Sequence, residues 1–220
     1  KRVYFVNDEM EYDALVLATG SKPHLPAIEG IEQWFGEHVF ALKTLDDALT
    51  IKRKLNNVAS VVVIGAGLIG LEIAEALYSR GVETQIIELT NQVLPGMLDK
   101  DMASELLHHV PVGIRLSTVV SAVTEDGVVL ENGEHVACDM VVLATGTKAY
   151  TPFTDTIKID KRCGTGIKDV YACGDCAMVI DRVTHKHRFA GMGSIAVRTG
   201  MVAGINAAGG NADYDGMVLT

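Results

Sequence analysis

The amino-acid sequence predicts an α/β fold with parallel β-sheet, and one continuous stretch of the chain is the main evidence. Apolar, mostly β-branched residues at 61–64 run into the glycine pattern G-x-G-x-x-G at 65–70, and helical apolar spacing continues to Leu77. A second strand is predicted at 83–88, and it ends in the carboxylate of Glu88. A strand, a tight turn, a helix and another strand form a βαβ unit, whose two strands lie parallel. The 22 glycines of the chain fit an α/β protein with many tight turns.

The glycine pattern also indicates a dinucleotide site, because each glycine has a separate physical task. Gly65 permits the tight turn, Gly67 lets a pyrophosphate approach the backbone, and Gly70 lets the helix pack closely on the strand. The helix N-terminus directs unpaired N–H groups and a positive dipole end at the phosphates. Glu88 lies 23 residues after Gly65, where a carboxylate binds a ribose 2′-hydroxyl. A glycine turn in some other βαβ unit is the alternative interpretation.

Composition narrows the possible functions. A chain of 220 residues can form one large domain or two small ones. Its formal charge of −9, without a basic cluster, argues against nucleic acid as a partner, and the apolar runs are too short to predict a membrane span. The four cysteines are too few and too scattered for a disulfide framework, so we expect a reducing, cytoplasmic setting.

Further elements are predicted from turn signals and apolar spacing. Residues 1–23 are expected to form a β-hairpin and then a strand that Ser21–Pro23 ends, and residues 24–45 are expected to form a loop. Asn132-Gly133 is typical of a type I′ turn, so residues 127–137 are expected to form a hairpin. Helices are predicted over 45–55, about 99–109 and from about 194 to 204 or 208, and strands near 114–116, 119–123 and 170–172.

The chain contains an internal repeat. Residues 12–20 and 138–146 match in pattern, 126 positions apart, and both end in Ala-Thr-Gly. The second copy follows the glycine pattern, with Gly65 and Gly146 separated by 81 positions. A matching glycine loop for the first copy would fall 81 positions before Gly20, outside this chain. We therefore expect a sequence that begins partway through its first dinucleotide-binding domain.

Four motifs together resemble the pyridine nucleotide–disulfide oxidoreductase family. They are Tyr12–Pro23 (YDALVLATGSKP), the glycine loop at 65–70, the second Ala-Thr-Gly at 144–146, and Val170–Ala177 (VYACGDCA). Their order is far more specific than any one of them, and the resemblance covers nearly the whole chain. Within the family, LPGMLDKDM and VAGINAAGG are most similar to the branch of NADH oxidases, NADH peroxidases and coenzyme A-disulfide reductases.

This resemblance implies two Rossmann-like dinucleotide-binding domains, with an NAD domain inserted into a partial FAD domain. The implied cofactors are FAD and NAD(H), and a homodimer is expected for the full-length protein. The FAD glycine loop and the redox cysteine are expected outside this chain, so no catalytic residue is assigned within it. The implied divisions are 1–55 (FAD domain and linker), 56–147 (NAD domain), 148–213 (FAD domain) and 214–220 (start of a dimerisation domain).

The resemblance also implies roles for individual residues. For NAD, these are Gly65, Gly67 and Gly70 at the pyrophosphate, Ile69 and Glu72 near the nicotinamide, Glu88 at the adenosine ribose, and Gly146 closing over the cofactor. For FAD, they are Thr19 and Gly20 along the cofactor, Gly174 and Asp175 at its ribityl-phosphate arm, and Met192, Gly193 and Ser194 facing the flavin ring. A helix that begins at Met192–Ser194 would place its N-terminus at the flavin ring and stabilise negative charge on the reduced flavin.

Cys173 and Cys176 have the C-x-x-C spacing of redox disulfides and of half a zinc site. The sequence has no second C-x-x-C, and the pair flanks the Gly-Asp that the family uses for FAD. We therefore expect neither redox nor metal chemistry there.

The function implied is hydride transfer from NADH to FAD, with electrons passing on to O2, peroxide or a disulfide. The alternatives are a ferredoxin or rubredoxin reductase, which shares the four motifs, and a non-catalytic NAD-binding module.

Overall fold

The structure, a computed structural model, describes residues 1–4, 6–151 and 156–218. The chain forms two compact units: Lys1–Lys22 with Thr147–Thr220 make the first, and Pro23–Gly146 make the second. The sequence-based division placed the first boundary at residue 55, whereas here it lies at residue 22. Three parts of predicted segments lie outside the described residues: Phe5 in the hairpin, 152–155 in the later FAD segment, and 219–220 in the dimerisation segment.

The elements are numbered in chain order. The strands are β1 (Arg2–Tyr4), β2 (Glu9–Glu11), β3 (Leu15–Leu17), β4 (Ser21–Pro23), β5 (Val39–Ala41), β6 (Ser60–Ile64), β7 (Glu83–Ile87), β8 (Gly113–Arg115), β9 (Val120–Thr124), β10 (Gly127–Leu130), β11 (His135–Ala137), β12 (Met140–Leu143), β13 (Thr147–Ala149), β14 (Ile157–Lys158), β15 (Val170–Ala172), β16 (Ala177–Ile180) and β17 (His187–Phe189). The α-helices are α1 (Ile31–Trp34), α2 (Leu45–Lys54), α3 (Leu68–Tyr78), α4 (Lys100–Leu107) and α5 (Gly193–Ala207).

The second unit is organised around a five-stranded parallel sheet in the order β5-β12-β6-β7-β8. The central strands are apolar on both faces because both faces are covered. One face packs against the antiparallel sheet β9-β10-β11, and Val62, Val141 and Val128 belong to the same buried cluster. The other face packs against helices, and Val63, Ala74 of α3 and Ala103 of α4 belong to a second buried cluster. This architecture confirms the predicted α/β class.

Helix α2 has stabilising polar and charged residues at both ends. Thr44 and Asp47 form a capping box: the Asp47 N–H donates to Thr44 Oγ1 over 3.2 Å, and the Thr44 N–H donates to Asp47 Oδ2 over 2.7 Å. Three basic residues in the last turn suit the negative end of the helix dipole. The helix predicted over 45–55 is confirmed.

The loop predicted over 24–45 is wrong. This segment contains α1 and β5, and all three residues of β5 are buried. β5 pairs in parallel with β12, from Val39 opposite Val141 to Ala41 opposite Leu143. A three-residue strand shows too little alternation to be recognised in sequence, and its partner lies far along the chain. Burial in the sheet, rather than local pattern, makes this segment a strand.

Two turn predictions also need correction. Ser21–Pro23 was expected to end a strand, but it forms β4, which pairs with β13. Pro23 is tolerated because, within the described residues, β4 is an edge strand of a two-stranded sheet. The 127–137 hairpin is confirmed, but its turn is not type I′. Gly133 has φ 85° whereas Asn132 does not have positive φ, and the Leu130 N–H bonds to Glu134 O over 2.8 Å, so the loop has three residues.

The first unit contains several small sheets and α5. β3 pairs in parallel with β15, β1 pairs with β2, and β14, β16 and β17 form a three-stranded sheet. Helix α5 contributes Ile195, Val202 and Ala203 to the core of this unit. Tyr214 and Met217, at the predicted start of a dimerisation domain, are buried in the same core. Among the described residues, no helix is long and apolar enough to cross a membrane.

Candidate cofactor-binding sites

The glycine loop of the second unit is a sharp turn between β6 and α3. Gly65 has φ 108°, and its N–H donates to Ile87 O over 2.8 Å. A Cβ at Gly65 would lie 2.6 Å from Ala144 O, and a Cβ at Gly70 would collide with Gly65 O. These contacts are backbone contacts, so no side-chain movement could relieve them. Glycine is required at these two positions by the turn and by the approach of helix to strand.

Gly67 differs from the other two glycines because the space beside it is open. It precedes α3 with φ −74°, and a Cβ built there would meet nothing within 4 Å. The first N–H groups of α3 have no carbonyl partner inside the helix. An anion next to Gly67 would therefore meet unpaired donors and the positive end of the helix dipole. The arrangement fits a pyrophosphate.

Glu88 holds the glycine loop as well as facing the cleft beside it. Its carboxylate is buried, with 6% of the residue exposed. Oε2 accepts a hydrogen bond from the Ala66 N–H and Oε1 accepts one from the Thr90 N–H, both over 2.7 Å. The Leu94 N–H donates to Ala66 O over 2.9 Å, which ties the following loop to the same residue. A carboxylate has about four acceptor positions, so two remain for a ribose.

A cleft of about 590 Å³ lies beside the glycine loop, and every residue around it belongs to the second unit. Gly65, Gly67, Glu88 and Gly146 line it, so the structure brings these four predicted residues together. The rest of the lining is mostly apolar, as in cofactor pockets: Pro26, Ala27, Ile28, Leu94, Pro95, Met97, Val119 and Val120 are part of it. Among the described residues that line it there is no lysine or arginine.

The remaining predicted NAD residues lie on α3. Gly70 is buried beneath the loop, and Ile69 and Glu72 are exposed on the helix and do not line the cleft. Their placement near a nicotinamide stays a prediction. Arg80 lies beyond the C-terminal end of α3, where its Nη1 donates to Ala76 O over 2.9 Å. Because the glycine loop is at the opposite end of α3, Arg80 is far from Glu88.

In the first unit, the Gly-Asp motif forms a short 3₁₀ turn at Gly174–Cys176. Asp175 Oδ2 accepts a hydrogen bond from Ser21 Oγ over 2.8 Å, and the Gly174 N–H donates to Thr199 Oγ1 over 3.0 Å. Gly174 has φ 69°, which favours glycine. The motif is therefore bonded both to the segment after β3 and to α5.

Helix α5 begins in open space. Met192 precedes it with extended backbone angles, and Gly193 and Ser194 form its exposed first turn. A Cβ at Gly193 would meet nothing within 4 Å. This exposed N-terminus could stabilise a negative charge, as the prediction for the flavin ring requires. The residues of both motifs thus fit the FAD contacts that the sequence predicts for them.

The two Ala-Thr-Gly turns make equivalent hydrogen bonds. In the first unit, Thr19 Oγ1 donates to Tyr150 O, and Gly20 O accepts from the Tyr150 N–H. In the second unit, Thr145 Oγ1 donates to His24 O over 2.7 Å, and Gly146 O accepts from the His24 N–H over 2.9 Å. Each glycine has positive φ, 72° and 88°. The repeat in the sequence is therefore a repeat of geometry.

The four cysteines are free and buried. Burial raises the pKa of the Cys163 thiol to about 12 and that of the Cys138 thiol to about 11. Burial also raises the pKa of Cys173, which is 7% exposed, and Cys176 Sγ donates to Cys173 O over 3.2 Å. A thiol needs a low pKa and access to react. Among the described residues, no group of three or more Cys, His, Asp or Glu could hold a metal ion.

The described geometry is that of a nucleotide-binding α/β protein, and comparison with known proteins identifies the family. The family model described as pyridine nucleotide-disulphide oxidoreductase matches residues 2–191. The chain belongs to this family. The match spans all four motifs from which the sequence predicted the family, and that prediction is confirmed.

Known proteins resemble this family member over nearly its whole length. The NADH oxidase of Methanocaldococcus jannaschii is 35% identical over 223 residues, covering 94% of this chain and 49% of that protein. The solved NAD-dependent persulfide reductase from A. fulgidus is 36% identical with a TM-score of 0.88, over 98% of this chain and 43% of that one. The water-forming NADH oxidase of Lactobacillus brevis, bound to NADH, is 25% identical with a TM-score of 0.85, over 95% and 49%. The chain spans about half the length of the curated relatives it matches.

Sequence reasoning missed the residues that hold the motifs in place. Ser21 and Thr199 contact the Gly-Asp motif, and Thr145 holds the turn at Gly146. Thr145 could have been found, because it recurs with Thr19 in the repeat. Thr199 carries no such signal, since it lies in the middle of a helix and contacts a residue 25 positions earlier.

Proposed function

We propose that this chain forms the NADH- and FAD-binding part of an FAD-dependent NADH oxidoreductase. The observation that carries the proposal is the cleft in the second unit, where Gly65, Gly67, Glu88 and Gly146 converge beside the N-terminus of α3. Membership of the family supports the same assignment. When bound, FAD would accept a hydride from NADH and pass electrons on, which is chemistry that protein side chains do not supply.

In this proposal the second unit binds NADH and the first binds FAD. Gly67 and the first turn of α3 receive the pyrophosphate, and Glu88 accepts hydrogen bonds from the adenosine ribose while it holds Ala66. Thr19, Gly20, Gly174 and Asp175 lie along FAD, and the N-terminus of α5 at Met192–Ser194 favours the negative charge of the reduced flavin. Ile69 and Glu72 keep their proposed place near the nicotinamide.

The electron acceptor is O2, peroxide or a sulfur–sulfur bond. The resemblance to an NADH oxidase supports the first, and the resemblance to a persulfide reductase supports the last. The thiol of a disulfide-reducing couple would come from outside this chain, because its cysteines are buried. A homodimer of the complete protein and a reducing, cytoplasmic setting belong to the same proposal.

The proposal is tested by mixing the purified full-length protein with NADH in the absence of oxygen. We expect a visible flavin spectrum that is bleached by about one NADH per flavin, since one hydride carries the two electrons that reduce one flavin, and by about two if an oxidised cysteine couple is reduced through it. Readmitting oxygen, peroxide or a disulfide one at a time should then restore the spectrum with the true acceptor. A protein that binds NADH but contains no flavin would favour the non-catalytic module.

The NADH site itself is tested by Gly67→Ala. The new Cβ meets open space and φ is −74°, so the variant should fold as the wild type does. It should lose roughly tenfold or more in NADH affinity, about 1.4 kcal/mol, because the methyl group occupies the pyrophosphate position. Gly200→Ala, in α5 and also in open space, is the matched control and should not change NADH affinity. Equal affinities for all three proteins would contradict the assignment of this cleft.

Cofactor choice is tested by titrating NADH and NADPH at one ionic strength. We expect NADPH to bind at least roughly tenfold more weakly, because its 2′-phosphate would meet the buried Glu88 carboxylate as a like charge. The cleft lining described above offers no lysine or arginine to compensate, and Arg80 is at the other end of α3. Better binding of NADPH would show that a cation outside the lining of this cleft overrides Glu88.

A further inference from the structure

Thr199 is fully buried in α5, and its side-chain hydroxyl is engaged on both sides. Its Oγ1 donates to Ile195 O, one turn earlier, over 2.7 Å. The same oxygen accepts a hydrogen bond from the Gly174 N–H over 3.0 Å. A threonine in a helix commonly bonds the carbonyl four residues earlier, but it has no local reason to accept from another segment. The second bond is therefore a tertiary contact.

This contact joins the segments to which the proposed function assigns FAD. Gly174 precedes Asp175, whose carboxylate also accepts from Ser21, next to Thr19 and Gly20. Ile195, on the other side of Thr199, lies in the first turn of α5, and its N–H donates to Met192 O over 3.1 Å. The Thr199 hydroxyl thus lies between the Gly-Asp turn and the start of α5.

The packing around Gly174 makes the position of the turn depend on this bond. A Cβ at Gly174 would lie 3.5 Å from Ala196 Cβ, so the turn rests directly on α5. The Cys173 N–H donates to Leu17 O over 3.0 Å and Asp175 accepts from Ser21, so these bonds hold the turn to β3 and to the segment after it. The Thr199 bond holds the turn to α5, at Gly174, which has φ 69°. Without an acceptor, the partly buried Gly174 N–H would be drawn towards water and Asp175 would move with it.

We infer that Thr199 is a positioning residue for FAD: its hydroxyl sets the Gly-Asp turn against the N-terminus of α5. The inference rests on the proposed function, because it assumes that these segments bind the flavin cofactor. Thr199 itself lies beneath the binding surface and need not touch FAD. Its effect is transmitted through one backbone N–H, that of Gly174.

The test uses Thr199→Val and Thr199→Ser in the flavoprotein. Valine has the shape of threonine without the acceptor, and serine keeps the acceptor. After removal of FAD, its rebinding is followed by quenching of flavin fluorescence. We expect the valine variant to bind FAD roughly tenfold more weakly, the effect of one lost hydrogen bond to a buried group, and the serine variant to bind within about twofold of wild type.

A structural control separates positioning from simple loss of stability. Asn206 is also buried in α5, and its side chain bonds Arg162 O over 2.9 Å and both backbone groups of Ala212 over 2.8 Å. Asn206→Ala should lower the melting temperature of the apoprotein and leave FAD affinity unchanged. Amide exchange should also be faster at Gly174 in Thr199→Val and unchanged there in Asn206→Ala.

Three results would overturn the inference: wild-type FAD affinity in Thr199→Val, failure of Thr199→Ser to restore it, or an equal loss of affinity in Asn206→Ala. A wild-type protein that holds no flavin at all is a different result. It would contradict the proposed function, and with it this inference.

Discussion

The two Ala-Thr-Gly segments have nearly the same sequence but lie in different tertiary environments. Residues 13–20 and 139–146 are identical at six of eight positions. In the second unit, β12 is buried at all four residues and lies between β5 and β6. In the first unit, all three residues of β3 are half-buried, and within the described residues β3 pairs with β15. Within the described residues, the more deeply buried strand is the one that has a paired strand on each side.

The turns after the two strands do not differ. Gly20 and Gly146 both have positive φ. The hydroxyl of Thr19 donates to the Tyr150 carbonyl, and that of Thr145 donates to the His24 carbonyl. Tyr150 and His24 occupy equivalent positions, each four residues after the glycine of the other copy. This part of the geometry is set locally, because few residues other than glycine adopt positive φ without cost. A comparison of matched substitutions in the two copies can separate the local from the tertiary contribution.

The largest expected difference is between Leu143→Ala and Leu17→Ala, at equivalent positions of the two strands. Leu143 is 4% exposed in the core of the second unit, whereas Leu17 is only half-buried. We expect the free energy of unfolding to fall by about 2–5 kcal/mol in Leu143→Ala and by about half of that or less in Leu17→Ala. Chemical denaturation measures both. Equal losses would mean that β3 is buried as deeply as β12 in the protein in solution.

Replacing a glycine by alanine should change the free energy of unfolding in opposite directions in the two units. Gly65→Ala places a Cβ 2.6 Å from Ala144 O at φ 108°, and we expect a loss of roughly 2–4 kcal/mol. Gly200→Ala in α5 meets open space, and we expect a gain of about 0.5–1 kcal/mol from the better helix propensity of alanine. Thermal unfolding measures both. A stable Gly65→Ala variant would show that the turn can widen.

Replacing the aspartate near the start of each copy of the repeat should also cost different amounts of stability. Asp139 Oδ2 accepts from the N–H groups of Ser60 and Ala59 over 2.9 and 2.8 Å, and these bonds lower the pKa of its carboxyl. Asp13 contributes its backbone carbonyl, which accepts from Lys1. We expect Asp139→Ala to cost about 1 kcal/mol at pH 7, since the carboxylate is solvent-exposed, and Asp13→Ala to stay within about 0.5 kcal/mol.

The Asp139 effect should depend on pH in a defined direction. Because the pKa is lowered in the folded state, the stabilisation is present above the unfolded value of about 3.9 and is lost as pH falls through the folded value. Urea denaturation of wild type and Asp139→Ala should therefore converge below about pH 4. A constant difference down to lower pH would mean that the protonated carboxyl stabilises the strand equally well.

The smallest expected effect is at the cysteines, one in the second unit and three in the first. All four are buried, so a thiol-reactive disulfide reagent at about pH 8 should label none of them in the folded protein, because the reagent cannot reach them. Burial also raises the pKa of Cys138, Cys163 and Cys173, which lowers their thiolate fraction. In urea, all four should react. Cys173→Ala and Cys176→Ser should likewise keep most NADH-dependent turnover in the full-length protein. Rapid labelling of Cys176, or loss of turnover with flavin still bound, would restore the C-x-x-C as a candidate redox centre.

The sequence by itself determined the elements whose signals are local. The order β6, glycine loop, α3 and β7 follows from a change of apolar period at Gly65–Gly70, and α2 follows from the helical apolar spacing over 45–55. The family follows from the order of four short motifs, because each needs its glycine or aspartate at a set place.

Only the tertiary structure decided which segments meet. β5 is a strand because it lies against β12. Asp139 is expected to stabilise the protein more than Asp13 does because the N–H groups of Ser60 and Ala59 donate to its carboxylate. Thr199 likewise acts by accepting a hydrogen bond from the Gly174 N–H, and the pattern of residues in its helix does not reveal that contact. These contacts join residues that are distant in the chain, and their strength comes from burial and hydrogen-bond geometry, which exist only once the units have folded.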